Sequence, residues 1–348
     1  VLHIGSGKTG TSSIQTFMNR NRERLADLGQ LYPKTPGVTR HIRLGLYIRP
    51  DDTLDDYIGW HRQRASSPKA FRKSFRRRLF REINESGLSR VLFSDEALYA
   101  SSSESLRRLS RFTHRIAGRL RLVVYLRRQD DHLASRYQQG MKIGQTKRLT
   151  EWVNEPDLSR IYDYDARLRM WERLLDPDEF VVRRFERDSF VAGSLLQDFL
   201  DATGIDARAE EMDQGPSRNV RLDAESVEFL RILNLYRVEN EAAKEGLIDN
   251  RKLVKRLVEQ TRGPVLTLPT SSLDRFMARW EEGNRAVAQR YLHDGTGELF
   301  RMPRRTDDTT TEQHLEPDRL DHFVTLLELP EQLRAPLRQV AEREAKNR

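Results

Sequence analysis

Lys8-Thr9-Gly10-Thr11-Ser12-Ser13 is the stretch whose residue types could act on an anion. Lys8 supplies a full positive charge, and Thr9, Thr11, Ser12 and Ser13 supply hydroxyl donors. Such a set suits a phosphate or sulfate group when it stands where a helix begins, because the first backbone N–H groups point outward there and the helix dipole favours negative charge. The chain provides that start. Val1 to Ile4 reads as the end of a buried strand, and a glycine-rich turn follows. Ile14, Phe17, Met18, Leu25 and Leu28 then recur at helical spacing between Ser12 and Leu28, with Gly29 as the cap. The nucleotide P-loop pattern G-x-x-x-x-G-K-[ST] is not met, since the glycine it needs five residues before Gly7 is Leu2.

A second pair of anion ligands lies about 120 residues further on. Leu120 to Leu126 reads as a strand with Arg127 at its carboxyl end. Asp130 or Asp131 caps the next helix, and Ser135 falls in that helix's second turn, eight residues after Arg127. Arginine offers a planar fork for a phosphate dianion, and a helical serine donates from a rigid base. Taken alone, the pair reads as a surface arginine and an ordinary serine; joined to the Lys8 loop, it reads as a phosphate clamp.

Together the two motifs resemble the PAPS-dependent sulfotransferases of bacterial type, whose loop usually runs K-[ST]-G-[ST]-[ST]. The resemblance covers about 1–205, thins over 206–300 and goes no further; Gly7 stands where many members carry proline. It implies a P-loop NTPase-like sulfotransferase fold. The donor would be PAPS (3′-phosphoadenosine 5′-phosphosulfate), the product 3′-phosphoadenosine 5′-phosphate, and the acceptor a hydroxyl or amine. Lys8 would steady the bridging oxygen of the leaving group. Thr9, Gly10, Thr11, Ser12 and Ser13 would hold the 5′-phosphosulfate, and Arg127 with Ser135 the 3′-phosphate. Glu96, at the exit of the strand Val91 to Ser94 where cytosolic relatives place a histidine, would be the general base. His41 comes second, and also reads as a surface or packed histidine. No metal is expected. A P-loop kinase using Asp95 for magnesium is the rival enzyme, and a module binding anionic polymers is the rival without catalysis.

The elements that must position these residues alternate. Strands are expected at Val1 to Ile4, Val91 to Ser94, Leu120 to Leu126 and Phe180 to Val182. Helices are expected from about Ser103 to Gly118, Ser159 to Leu175 and Ser194 to Thr203. That order predicts an α/β fold, a parallel β-sheet flanked by helices. Ligands of such sheets lie outside the carboxyl ends of the strands, where the Lys8 loop, Glu96 and Arg127 all fall. A polar stretch, Asp206 to Arg218, is broken by Gly215-Pro216. A helical part follows, with helices at Asp223 to Lys244, Asn250 to Gln260 and Ser272 to Tyr291. The expected division is a domain over 1–300, with its motif-bearing core at 1–205 and helical part at 206–300, and then 301–348 as a polar linker and two-helix extension.

Arg62, Arg64, Lys69, Arg72, Lys73, Arg76, Arg77, Arg78 and Arg81 fall within twenty residues without an acid, and Phe71, Phe75, Leu79 and Ile83 recur every four. This predicts an amphipathic basic helix, either a solvated face or a track for an anionic glycan, a membrane surface or nucleic acid. The 348 residues carry a formal net charge of +8, which suits an anionic ligand but marks no specific nucleic acid. The chain has no cysteine, which excludes disulfides, thiolate metal sites and cysteine nucleophiles. A reducing, cytoplasmic compartment is expected with it. No apolar run approaches a membrane span. The sequence opens inside an expected strand, which implies residues ahead of Val1.

Overall fold

The computed structural model describes residues 1–215, 221–240, 250–260 and 262–346. It is a mixed α/β structure built on a parallel sheet of four strands: Phe93–Ser94, Leu2–His3, Arg121–Leu126 and Glu179–Arg184, in that spatial order. Leu2 stands opposite both Phe93 and Leu122, and Arg121 opposite Glu179. At the sheet's far side Gln30–Leu31 pairs with Arg90–Val91. The chain passes from this pair through Leu92, whose N–H donates to Leu31 O at 2.8 Å, directly into Phe93.

The two faces of the sheet bury different sets. Leu122, Val124 and Leu126 face a core formed with Phe75, Leu106, Leu168 and Trp171. Val123 and Tyr125 face a second core with Ile14, Phe17, Phe199 and Leu200. Both faces being covered is why Leu122 to Leu126 reads as a continuous apolar run.

Several boundaries differ from expectation for local reasons. The first helix is two, Thr11–Arg20 and Arg22–Asp27. They part at Asn21, whose side chain turns back to donate to Phe17 O at 2.8 Å. The expected 159–175 helix divides at Asp163, which caps Tyr164–Leu175 by accepting from Ala166 N. The expected 272–291 helix likewise divides, into Thr270–Ala278 and Glu281–Leu292. The basic helix starts at Pro68, capped by Ser67, and ends at Ser86, so Arg62 and Arg64 precede it. The 301–313 stretch is more than a linker, since Thr309–Thr310 pairs in parallel with Val265–Leu266. The helix expected to reach Lys244 runs Ala224–Glu239; its continuation over 241–244 and the Pro216 break lie outside the described residues.

The chain forms two units interleaved along the sequence. One comprises Val1–Arg128, Ser159–Arg218 and Trp280–Met302; the other Gln129–Leu158, Asn219–Arg279 and Pro303–Arg348. This differs from the contiguous division expected near residue 300. The first unit holds the four-stranded sheet. The second centres on the helix Ala224–Glu239, where buried Arg231 pairs with Glu228 at 2.7 Å and with Glu344 of the last helix at 2.8 Å. Among the described residues no helix is long and apolar enough to cross a membrane.

Candidate functional site

The Leu2–His3 strand has Phe93–Ser94 on one side of it and Arg121–Leu126 on the other, and the connections leave in opposite directions. That is the switch point at which a parallel sheet opens a crevice. The Lys8 loop spans it. Ser6 N donates to Tyr125 O at 3.1 Å, and Tyr125 N to Gly5 O at 2.7 Å, so the loop starts as a continuation of the sheet. Gly10 takes φ 71° as the cap of Thr11–Arg20, and its carbonyl accepts from Ser13 N and Ile14 N. A Cβ on Gly10 would strike the Leu195 side chain, so both conformation and space demand glycine there. Lys8 itself sits at φ 61°, a left-handed conformation that costs a non-glycine residue about 1–2 kcal/mol. The strain falls on the residue whose charge the site would use.

Burial and the neighbouring Arg127 charge pull the Lys8 ammonium below the usual lysine range, while Glu96 opposes them. Lys8, Arg127 and Glu96 are thus within electrostatic reach of one another, from three separate segments. Arg127 Nη1 donates to Lys8 O at 3.1 Å, and the guanidinium lies 5.8 Å from the centre of the Phe185 ring. Tyr164 fixes the strand end by donating to Arg127 O at 2.6 Å.

The hydroxyls of the loop divide. Thr9 is fully buried and gives its hydroxyl to Ser6 O, so the hydroxyl shapes the turn and only the backbone N–H is left for the expected role. Thr11 is buried, while Ser12 and Ser13 are exposed in the first turn of the helix. Ser135 lies half-buried in Gln129–Lys142, in its second turn as expected, and this helix belongs to the other unit.

Asp95 and Glu96 leave their strand in different directions. Asp95 is wholly buried, caps the turn by accepting from Ala97 N, and takes Arg40 Nε at 2.8 Å. Burial and the neighbouring Glu96 charge push its pKa up, against Arg40. Asp95 is thus committed through Oδ1 to Arg40 and to Ala97 N. Glu96 keeps a fifth of its side chain exposed (21%), with Arg40 Nη1 3.0 Å from one oxygen and Gln15 Nε2 2.8 Å from the other.

His41 is corrected from candidate base to packing residue. Its ring is fully buried against Tyr32 and Phe93. Nδ1 accepts from Ser94 N at 3.1 Å, which leaves Nε2 to donate to Pro33 O at 3.0 Å. Both nitrogens are committed, and burial holds the ring neutral, its pKa pushed down to about 3. Gln15 and Arg40 were not singled out from the sequence. Gln15 occupies a buried helix position where an apolar residue would suit the pattern, and that mismatch was the available signal.

The basic helix divides as well. Arg72 is tied down, donating to Tyr47 O and Arg49 O at 2.9 and 2.7 Å and pairing with Asp51. Lys69, Lys73, Arg77 and Arg81 are exposed in an i, i+4 row opposite the buried Phe71, Phe75 and Leu79.

No family model matches the chain, and no solved structure matches it. An uncharacterized protein of Archaeoglobus fulgidus is 30% identical over 187 residues, 52% of this chain and 47% of that protein. The chain spans about half the length of this relative.

Proposed function

We propose that the protein is a PAPS-dependent sulfotransferase with a P-loop NTPase-like fold, moving a sulfuryl group to a hydroxyl or amine acceptor. The observation that carries this reading is a helix-start loop bearing Lys8, braced by Arg127 Nη1 on Lys8 O at 3.1 Å and packed at Gly5 against the Glu96 backbone. A lysine in a loop at a helix start, with an arginine bracing that loop, suits an anionic ligand. The buried loop with its outward N–H groups suits a phosphosulfate.

In the transfer, the acceptor oxygen bonds to sulfur as the bond from sulfur to the bridging oxygen breaks. The electron pair stays on the phosphate of the leaving nucleotide, and the acceptor proton passes to Glu96. Lys8 neutralises the charge that develops on the bridging oxygen. The N–H groups of Thr11 and Ser12 and the hydroxyls of Ser12 and Ser13 hold the 5′ group. Arg127 braces the loop through Lys8 O and is assigned to the 3′-phosphate. Positioning and charge supply the rate, as in phosphoryl transfer. The exposed row Lys69, Lys73, Arg77 and Arg81 would favour an anionic acceptor such as an acidic glycan. Phe71, Phe75 and Leu79 are spent on the core and give a membrane no apolar face.

Calorimetry with 3′-phosphoadenosine 5′-phosphate and with ATP-magnesium tests the reading. Tight magnesium-independent binding of the first is expected. Preference for ATP-magnesium would return the chain to the kinases.

A further inference from the structure

We infer that Arg40 and Gln15 are positioning residues that aim the Glu96 carboxylate. Glu96's part in the chemistry rests on the sulfotransferase reading; the aiming rests on geometry alone.

Glu96 opens the one-turn helix Glu96–Leu98, and an unpartnered glutamate there would sweep its three side-chain torsions through solvent. Instead each oxygen is held from a different part of the chain. Arg40, in the loop after the second strand, lies 3.0 Å from Oε1. Gln15, one turn into the helix that begins at the Lys8 loop, donates to Oε2 at 2.8 Å.

The holders are themselves held. Arg40 Nε donates to Asp95 Oδ1 at 2.8 Å, and the same oxygen accepts from Ala97 N at 3.1 Å. Gln15 is buried and also donates to Ser94 Oγ at 3.3 Å, which in turn bonds His3 Nδ1 at 2.8 Å. A guanidinium needed only to balance Asp95 would have no call to reach a second carboxylate at the mouth of the crevice. Arg40 spreads over both.

The backbone leaves little slack behind this arrangement. A Cβ on Gly5, at the start of the anion loop, would lie 3.0 Å from Glu96 Cα. Gln15 therefore sets where the carboxylate stands relative to the loop, and Arg40 sets which way it faces. A catalytic group displaced by about 1 Å can lose about a hundredfold in rate.

The test is a double-mutant cycle on turnover. In the native background Arg40→Gln is expected to lower kcat about a hundredfold, with the Kd for 3′-phosphoadenosine 5′-phosphate unchanged. In the Glu96→Gln background it should add almost nothing. The pair Arg40→Gln/Asp95→Asn, which leaves no unbalanced charge at Asp95, should behave like Arg40→Gln in turnover while remaining folded, as its melting curve checks. Equal losses in both backgrounds would make Arg40 merely structural and overturn the inference. Crystals of Arg40→Gln/Asp95→Asn supply a readout that needs no turnover: Glu96 should leave its native orientation, and an unmoved carboxylate would overturn the aiming. Failure of the native protein to bind 3′-phosphoadenosine 5′-phosphate would instead defeat the sulfotransferase reading.

Discussion

Arg127 donates through Nη1 to the carbonyl oxygen of Lys8, 3.1 Å away, so the cation at the end of one strand braces the loop that leaves its neighbour. Burial, and after it the Arg127 charge, hold the Lys8 ammonium below the usual lysine range, against Glu96. Binding of an anion should relieve that repulsion.

Lys8→Ala should lower kcat by about 10²–10³, the usual effect of removing one group that stabilises developing charge. The Tm should not fall, since the variant also removes a partly buried charge. Steady-state kinetics with melting curves check both, and near-normal turnover would remove Lys8 from the mechanism.

The 3′-phosphate assignment predicts that 3′-phosphoadenosine 5′-phosphate binds far more tightly than AMP, without magnesium. Arg127→Lys keeps the charge but loses the fork, and should erase most of the difference. Equal affinities for the two nucleotides in the native protein would sink the assignment.

Glu96→Gln should abolish most turnover and leave nucleotide binding intact. Asp95→Asn should cost stability instead, about 1–3 kcal/mol, by weakening the hold on Arg40 and Ala97 N. Kinetics and denaturant unfolding of the pair separate the roles; a reversal would hand the base to Asp95.

Acid stability follows from His3 and His41, both buried neutral with pKa values pushed down to about 3. The unfolded chain binds these protons near pH 6.5 and the native one does not. The stabilisation is therefore present above pH 6.5 and is lost as pH falls towards 3, at about 1.4 kcal/mol per pH unit for each ring. His41→Gln should remove one ring's share of the slope in pH-dependent unfolding. An unchanged slope would show that His41 is charged in the native state.

On the basic helix, Lys73→Glu/Arg77→Glu should raise the KM of an anionic acceptor and blunt its salt dependence without changing Tm. Arg72→Glu should lower Tm, because Tyr47 O and Arg49 O lose their donor. Identical kinetics at low salt would leave the row a solvated face.

Much of this was legible because the sheet's strands are buried on both faces, and Leu120 to Leu126 can hardly be anything else. The Lys8 loop and Arg127 follow as what stands at strand ends. Side-chain commitments were not legible. Thr9 and Ser12 are both hydroxyl residues in one loop, yet one bonds inward and the other faces out; His41 looked available and is enclosed; Arg72 looked like its neighbours and is a clamp. His41 and Arg72 depend on contacts with distant segments, Ser94 and Tyr47, which spacing along the chain does not reveal, whereas Thr9 turns back on Ser6 within its own loop. Arg40 itself belonged to no motif.

The interleaving of the two units bears on biosynthesis. The helix Glu281–Leu292 packs on Tyr164–Leu175 and on the Glu179–Arg184 strand, with Tyr291 against Phe180. A ribosome that has released only the first 279 residues has therefore made every strand of the main sheet but not the helix that covers its last one. Until residue 302 emerges, the nascent chain must carry that apolar flank open, a period in which chaperone capture or association is favoured. A fragment cut at about residue 205, where the recognisable motifs end, would carry the same open flank permanently. It should express as an aggregating species, although it contains every residue of the Lys8 loop.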